Sequence, residues 1–278
     1  MGYVKLVQSG SLTELFEYEK DLNTDRRPRS KASYAKRDSR FKSRRADSIQ
    51  RARRDFRRLV RANLVGNEAP SLFTFTMHQI LPYDASSRVF TDFLSRLRRA
   101  EGKHFRYIAV PEYQKRGALH WHALIWGLSP ESACYGTWQK RGKRYVFKHE
   151  CPPGRQCERR TRRIQRLWLA GFCDGIATDG SLKLASYLTK YLRKSMHALR
   201  DDGEGGEKEK KAYFASRNVL RPVSHGSSSP FVQDLIRDQV LGDNSPLTVR
   251  EFDTQWLGRT IYSIYEISHE GIESASDR

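Results

Sequence analysis

The chain is poor in cysteine, with four in 278 residues. They are too few and too scattered for a disulfide scaffold, so a reducing compartment is expected, the cytoplasm of a cell. Long apolar runs are missing. No window approaches the roughly 18 apolar residues of a membrane span, which argues against an integral membrane protein. The opening MGYVKLVQSGSLTELFEYEK has no apolar core of a secretory signal, and no Ser or Thr where a myristoylation signal prefers one. The glycine fingerprint of dinucleotide binding is absent. The nearest approach to a phosphate loop, Gly136 to Lys143, has five residues between its glycines and Arg144 where Ser or Thr is needed. An NTP-driven motor is therefore not expected, and no internal repeat is evident. Negative charge is also in short supply. Asp and Glu number 32 against 51 Lys and Arg, a net charge of +19, which points to a polyanionic partner, usually nucleic acid.

The positive charge is concentrated. Arg26 to Arg61 holds 16 Lys or Arg and 3 Asp. Within it Ile49, Phe56, Leu59, Val60 and Leu64 approximate an apolar helical stripe, while Arg51, Arg54, Arg58 and Arg61 follow a 3-4-3 spacing. This predicts a basic helix docked by a thin apolar edge, preceded by a disordered arm, RRPRSKASYAKRDSR. Such a helix is suited to DNA phosphates, in a salt-dependent and largely sequence-blind contact. The alternative is a solvated tail that only aids solubility.

Past Gly66 the pattern changes. Ser71 to His78 alternates like a strand, and Asp84 to Arg99 spaces Val89, Phe93 and Leu97 as an amphipathic helix. His104 to Gln114 and Ala118 to Gly127 read as two strands around Lys115-Arg116-Gly117. A polar, Cys-bearing stretch covers about 129–158. Further on, a helix is expected from Arg159 to Ala170, a strand from Gly171 to Thr178, and a helix from Leu182 to Ser195 after an Asp179-Gly180-Ser181 turn. A charged Gly-rich loop, Arg200 to Lys211, precedes weaker signals: a strand near Tyr213, a helix from Pro230 to Leu241 and a strand from Gln255 to Ile267. The order predicts an α+β fold, with helices on one side of a mainly antiparallel sheet in a ferredoxin-like plan. The expected organisation is a basic arm and helix (1–68), a central domain (69–198) with its polar insertion, and a C-terminal extension (199–278) packed on or completing that domain.

The most informative stretch runs from Val110 to His122. A three-residue hairpin loop commonly ends on a left-handed residue, and Gly117 suits that place. With Lys115-Arg116-Gly117 as the loop, Gln114 pairs with Ala118, Glu112 lies opposite His120, and Val110 opposite His122. Alternation then puts Glu112, His120 and His122 on one face and turns Leu119, Trp121 and Ala123 to the core. Two imidazoles and a carboxylate suit a divalent first-row ion, Mn²⁺ or Mg²⁺, with Zn²⁺ also possible. The bland alternative is a pair of hydrogen-bonded strand histidines beside a surface carboxylate.

A second stretch is the tandem Tyr187-x-x-Lys190-Tyr191-x-x-Lys194. These positions are i, i+3, i+4 and i+7, so two phenols and two ammonium groups share a helix face. Leu184, Leu188 and Leu192 form an adjoining stripe. A phenol is a weak nucleophile unless its anion is stabilised, and neighbouring lysines both stabilise it and grip phosphate. Taken alone, the helix is as well explained by amphipathic packing.

Together the two motifs resemble the rolling-circle replication initiators of single-stranded DNA phages and plasmids, the HUH endonuclease superfamily. His120-Trp121-His122 matches the His-hydrophobic-His signature, and Phe73-Thr-Phe-Thr76 resembles the first strand motif. Tyr187-x-x-Lys190-Tyr191 is similar to the tyrosine motif of microvirus-type initiators. Asn63 at the end of the basic helix, and Ser216-Arg217-Asn218 through Pro222, also look like that group. The tyrosines follow the histidines, as in replication initiators; in conjugative relaxases they precede them.

The resemblance implies a ferredoxin-like HUH endonuclease fold and a metal-dependent DNA nicking-joining activity. An ion on Glu112, His120 and His122 would bind the scissile phosphate. Tyr187 or Tyr191 would attack it, leaving a 5′-phosphotyrosine link and a free 3′-OH, and Lys190 and Lys194 would assist. Rejoining would need no ATP. The expected partners are single-stranded DNA and an origin hairpin or duplex, gripped by Arg51, Arg54, Arg58, Arg61, Lys115 and Arg116. A host helicase and polymerase are expected in the bacterial cytoplasm, since no NTPase motif is present. Cys134, His149, Cys151 and Cys157 offer donors for a structural zinc, but their spacing is wide and loose thiols fit better. Trp126, Trp138 and Trp168 could stack bases, with core packing the default. The rival readings are a non-catalytic basic nucleic-acid-binding protein and an HUH-type transposase.

Overall fold

The computed structural model describes residues 2–21, 37–66, 68–102, 104–128, 136–142, 144–149, 163–201, 211–254 and 257–267. The elements are β1 (Tyr3–Ser9), β2 (Leu12–Tyr18), α1 (Arg37–Ala62), β3 (Ser71–Met77), α2 (Tyr83–Glu101), β4 (Arg106–Tyr113), β5 (Leu119–Trp126), β6 (Gly136–Arg141), β7 (Arg144–His149), α3 (Arg163–Leu167), β8 (Gly171–Ala177), α4 (Lys183–Asp201), β9 (Phe214–Ala215), β10 (Val223–Ser227), α5 (Pro230–Leu235), β11 (Thr248–Thr254) and β12 (Gly258–Glu266). A π-helical turn, Ile236–Leu241, continues α5. This is an α+β protein, as the element order predicts. Among the described residues no helix is long and apolar enough to cross a membrane.

The chain forms two compact units: Met1–Val65 with Leu220–Arg278, and Gly66–Val219. The first boundary lies close to the expected 68, while the second falls at 219/220 instead of 198. The two ends, read as a separate arm and extension, share one antiparallel sheet of order β10-β1-β2-β12-β11. The hairpin β1–β2 turns at Gly10, whose φ is 67°. A Cβ on Gly10 would stand 2.5 Å from the Arg61 carbonyl oxygen, so this glycine also lets the turn abut the end of α1. One sheet face packs Val4, Leu6 and Leu15 with Ile236 and Leu241. As its apolar stripe predicts, α1 buries Phe56, Leu59 and Val60. At its end Asn63 is fully buried. Its amide donates to the Leu59 and Leu220 carbonyls at 2.8 and 2.9 Å, and its Oδ1 accepts from the Leu220 N–H at 2.9 Å. The arm before Arg37 lies outside the described residues.

The second unit has an antiparallel sheet of order β7-β6-β8-β3-β5-β4-β9. Period-two alternation sends odd residues of β3 and β5 to one face. There Phe75, Trp121, Phe90, Phe93 and Trp168 form a dense aromatic core under α2 and α3. Trp121 stacks on Phe90 of α2 with ring centroids 4.2 Å apart. The next residue, His122, faces the other way and stacks on Tyr191 of α4 at 3.7 Å. Helices therefore cover both faces, not the single side expected, because central strands bury both of their surfaces here. The loop Ser216–Val219 closes the unit. Ser216 exchanges bonds with the Tyr107 backbone, and Asn218 donates to the Phe105 carbonyl.

Candidate active site

The hairpin β4–β5 has the register expected from its loop. Glu112 pairs with His120 and Val110 with His122. Gln114 N–H donates to the Ala118 carbonyl at 2.9 Å, and Gly117 has φ 89°. The neighbouring strand β3 sets Thr74 opposite His122 and Thr76 opposite His120. One sheet face thus carries two imidazoles, a carboxylate and two hydroxyls in adjacent rows.

Over this face lies α4. Asp179 accepts the Ser181 N–H at 2.9 Å, forming the expected turn before the helix. Leu188 and Leu192 are buried while Tyr187 is 41% exposed. Leu184, expected in the same stripe, is only half-buried. One helical turn apart, the Tyr191 hydroxyl donates to the Tyr187 oxygen at 2.8 Å. Lys194 Nζ lies 2.6 Å from Glu112 Oε1, and His122 Nε2 lies 2.7 Å from Glu112 Oε2. Lys194 is also 5.6 Å from the centre of the Tyr191 ring. The helix and hairpin are joined through Glu112, so the two motifs form one site.

The electrostatics follow from burial and these contacts. Burial would raise the Glu112 carboxyl, but hydrogen bonds from Lys194 and His122 outweigh it and hold the group below the usual carboxylate range. Burial, with His122 nearby, pushes His120 down to about 4, and burial also lowers His122. Both rings are therefore neutral donors near pH 7. Tyr191 is raised, first by burial and then by its bond to Tyr187, so it keeps its proton. Thr74 Oγ1 is 3.2 Å from His122 Nδ1 and orients that ring. Gln114 Nε2 lies 3.4 Å from His120 Nδ1, and His120 Nε2 is buried with no partner.

The orphaned His120 Nε2, two neutral imidazoles and an ionised carboxylate fit a divalent ion in kind. Among the described residues, however, no three His, Cys, Asp or Glu side chains are gathered closely enough to hold one as they stand. Glu112 is turned to His122 and Lys194, contacts that an ion would have to replace. Beside the hairpin opens a cleft of about 540 Å³, lined by Glu112, Tyr113, Gln114, His120, Lys194 and the loop cations Lys115 and Arg116. Lys115 and Lys190 are exposed. Arg116 is partly committed, donating to Gln114 and to the His78 and Met77 carbonyls.

The basic-helix residues belong to the other unit. Arg51 and Arg54 are exposed, Arg54 donating to Asp55 at 3.3 Å, and Arg61 is half-buried. Arg58, expected on the exposed basic face, is only 7% exposed and ion-paired to buried Glu14 at 2.5 Å. Its partner is 44 positions away, beyond any helix-spacing argument. Trp126 and Trp168 are core residues. The side chain of Trp138 and residues Cys134, Cys151 and Cys157 lie outside the described residues, as does the side chain of His149. Thr74 and Gln114 were not singled out from sequence. Thr74 sits in the alternating strand motif and becomes meaningful once β3 neighbours β5.

Residues 70–196 match the family described as replication-associated protein ORF2/G2P. That stretch holds Glu112, both histidines, both tyrosines and Lys194. Over 208 residues the chain is 29% identical to the replication-associated protein ORF4 of Chlamydia phage 1, covering 64% of this chain and 45% of that protein. The matched stretch thus spans less than half of that relative's length. No solved structure matches. Both matches are to replication-associated proteins.

Proposed function

We propose that this chain starts rolling-circle replication by nicking a single DNA strand at an origin, within an HUH-type endonuclease site. The observation that carries this reading is the stack of Tyr191 on His122, with Lys194 bonded to Glu112. It sets a phenol pair against the histidine and carboxylate face, in a stretch matched by replication-associated proteins.

The exposed Tyr187 oxygen attacks the phosphorus of an unpaired strand. The phenol proton passes to water, a P–O bond to tyrosine forms, the bond to the 3′ oxygen breaks, and that oxygen takes a proton from water. The products are a 5′-phosphotyrosine and a free 3′-OH. A divalent ion held by Glu112, His120 and His122 supplies charge stabilisation at the phosphate when bound. Thr74 orients His122, Glu112 stays ionised, and Lys115 and Lys190 hold neighbouring phosphates. Because the bond is exchanged rather than hydrolysed, attack by the 3′-OH on the link reverses the step and needs no NTP. Two tyrosines let one retain a strand end while the other cuts again. Arg51 and Arg54 grip DNA phosphates. A helicase and a polymerase of the bacterial host cell supply unwinding and synthesis in the cytoplasm.

The test is an origin-derived single strand incubated with the protein and Mn²⁺ or Mg²⁺. A protein–DNA adduct that survives SDS is expected, and EDTA or His120→Ala abolishes it. Persistence of the adduct in the Tyr187→Phe, Tyr191→Phe double variant overturns the nucleophile assignment. No adduct on any origin-derived strand would leave a non-catalytic DNA-coating protein as the better reading.

A further inference from the structure

The unit formed by both chain ends lies outside residues 70–196, which the family matches, yet it contains a cavity of about 380 Å³. That is within the size of small-ligand pockets. Its floor is a cross-strand row in which Arg250 lies opposite Tyr262, and Tyr262 opposite Phe16. The Phe16 and Tyr262 rings are 4.7 Å apart. Phe252, two residues beyond Arg250 on the same face, is 45% exposed at the cavity edge. From α1 come Arg54, Arg57, Arg58 and Arg61, all lining the same space.

The charge here is unbalanced. Among the described residues Glu14 is the one carboxylate lining the cavity. It is already bonded, accepting from the Tyr262 hydroxyl at 2.6 Å and from Arg58 Nε at 2.5 Å. The Nε atoms of Arg57 and Arg61 and the Nη2 of Arg58 are buried with no partner. Arg58 is more than nine-tenths buried. Burial, together with the neighbouring Arg57, also holds Arg61 below the usual guanidinium range. Buried donors without acceptors are unfavourable, and an anion seated among them would satisfy several at once. The flat apolar rings beside them call for more than a bare anion. Guanidinium groups next to exposed aromatic faces are the chemistry by which proteins hold single-stranded nucleic acid.

We propose that this cavity takes one nucleotide unit of a single DNA strand, its phosphate on Arg57 and Arg61 and its base against Phe252 and Tyr262. This is a second nucleic-acid site, with no part in the chemistry at Tyr187. It does not depend on the nicking reading.

The experiment uses the full chain carrying Tyr187→Phe and Tyr191→Phe, so that no covalent link intervenes. Binding of a fluorescein-labelled dT12 strand is followed by anisotropy across a salt series. Phe252→Ala is expected to weaken binding about tenfold with an unchanged melting temperature, because Phe252 is exposed, and Phe252→Tyr is expected to restore it. Arg57→Gln is expected to reduce the salt dependence by about one phosphate contact. Unchanged affinity in Phe252→Ala overturns the proposal. A competition arm separates strand from free nucleotide. If dTMP fills the cavity and dT12 fails to displace it, the strand assignment is wrong. Binding of dT12 by the wild-type chain, with no adduct on any origin-derived strand, would defeat the nicking reading and leave this site standing.

Discussion

The Tyr191 hydroxyl gives its hydrogen bond to the Tyr187 oxygen across 2.8 Å, so the two phenols are unequal. A donated proton stabilises negative charge on the acceptor oxygen. Tyr187 is therefore the phenol expected to make the first cut, while Tyr191, stacked on His122, is held protonated. Tyr187→Phe should slow single-turnover adduct formation by about 100-fold or more, and Tyr191→Phe by about tenfold through the lost hydrogen bond. Time courses and mass spectrometry of the peptide adduct check both. A wild-type first adduct found on Tyr191 would reverse the assignment.

Lys194 holds the Glu112 oxygen that a divalent ion would need. The ammonium is half-exposed and the carboxylate largely buried, so Lys194→Gln should free the carboxylate for metal. Manganese binding, followed by electron paramagnetic resonance, should tighten by about three- to tenfold, since hydrogen bonds involving charged groups are worth about 1.5 kcal/mol or more and exposure discounts this one. Unchanged or weaker manganese binding would show that Lys194 does not oppose the ion.

Thr74 touches neither phenol, yet its hydroxyl fixes the His122 ring. Thr74→Val removes that bond at nearly constant volume. Second-layer partners of metal-ligating histidines commonly matter by about 10- to 100-fold, and a loss of about tenfold in nicking is expected here. The loss should be recovered as metal concentration rises, and Thr74→Ser should restore the rate. A loss that no amount of metal recovers would indicate a role other than orienting His122.

Asn63 satisfies both the N–H and the carbonyl of Leu220 from a fully buried position. Asn63→Ala leaves these groups without their partner, at about 1–3 kcal/mol each. Unfolding in urea should show a loss of roughly 3 kcal/mol for the unit that holds both chain ends. The circular-dichroism and fluorescence transitions should separate if Gly66–Val219 keeps its own stability.

The geometry of the candidate site was readable because it is set by short-range rules. Gly117 fixed the loop, the loop fixed the register, and alternation then put Glu112, His120 and His122 on one face. The helix positions of Tyr187, Tyr191 and Lys194 followed from 3.6-residue periodicity in the same way. What escaped depended on partners far along the chain. The bond from Lys194 to Glu112 spans 82 positions and that from Thr74 to His122 spans 48. Arg58 looked like one more exposed cation on a basic helix until Glu14 appeared beneath it. The hairpin Tyr3–Tyr18 did carry a local sign, Gly10-Ser11 between two alternating runs. Its partners β10 and β12, however, lie more than 200 residues away in the chain, and without them those runs gave no indication of a sheet.

That last pairing dictates an order of assembly on the ribosome. The first strands cannot complete their sheet until residues beyond 220 have emerged, whereas Gly66–Val219 is contiguous and can fold as soon as it is synthesised. The candidate site on β4, β5 and α4 is thus assembled before the arginine-lined cavity exists.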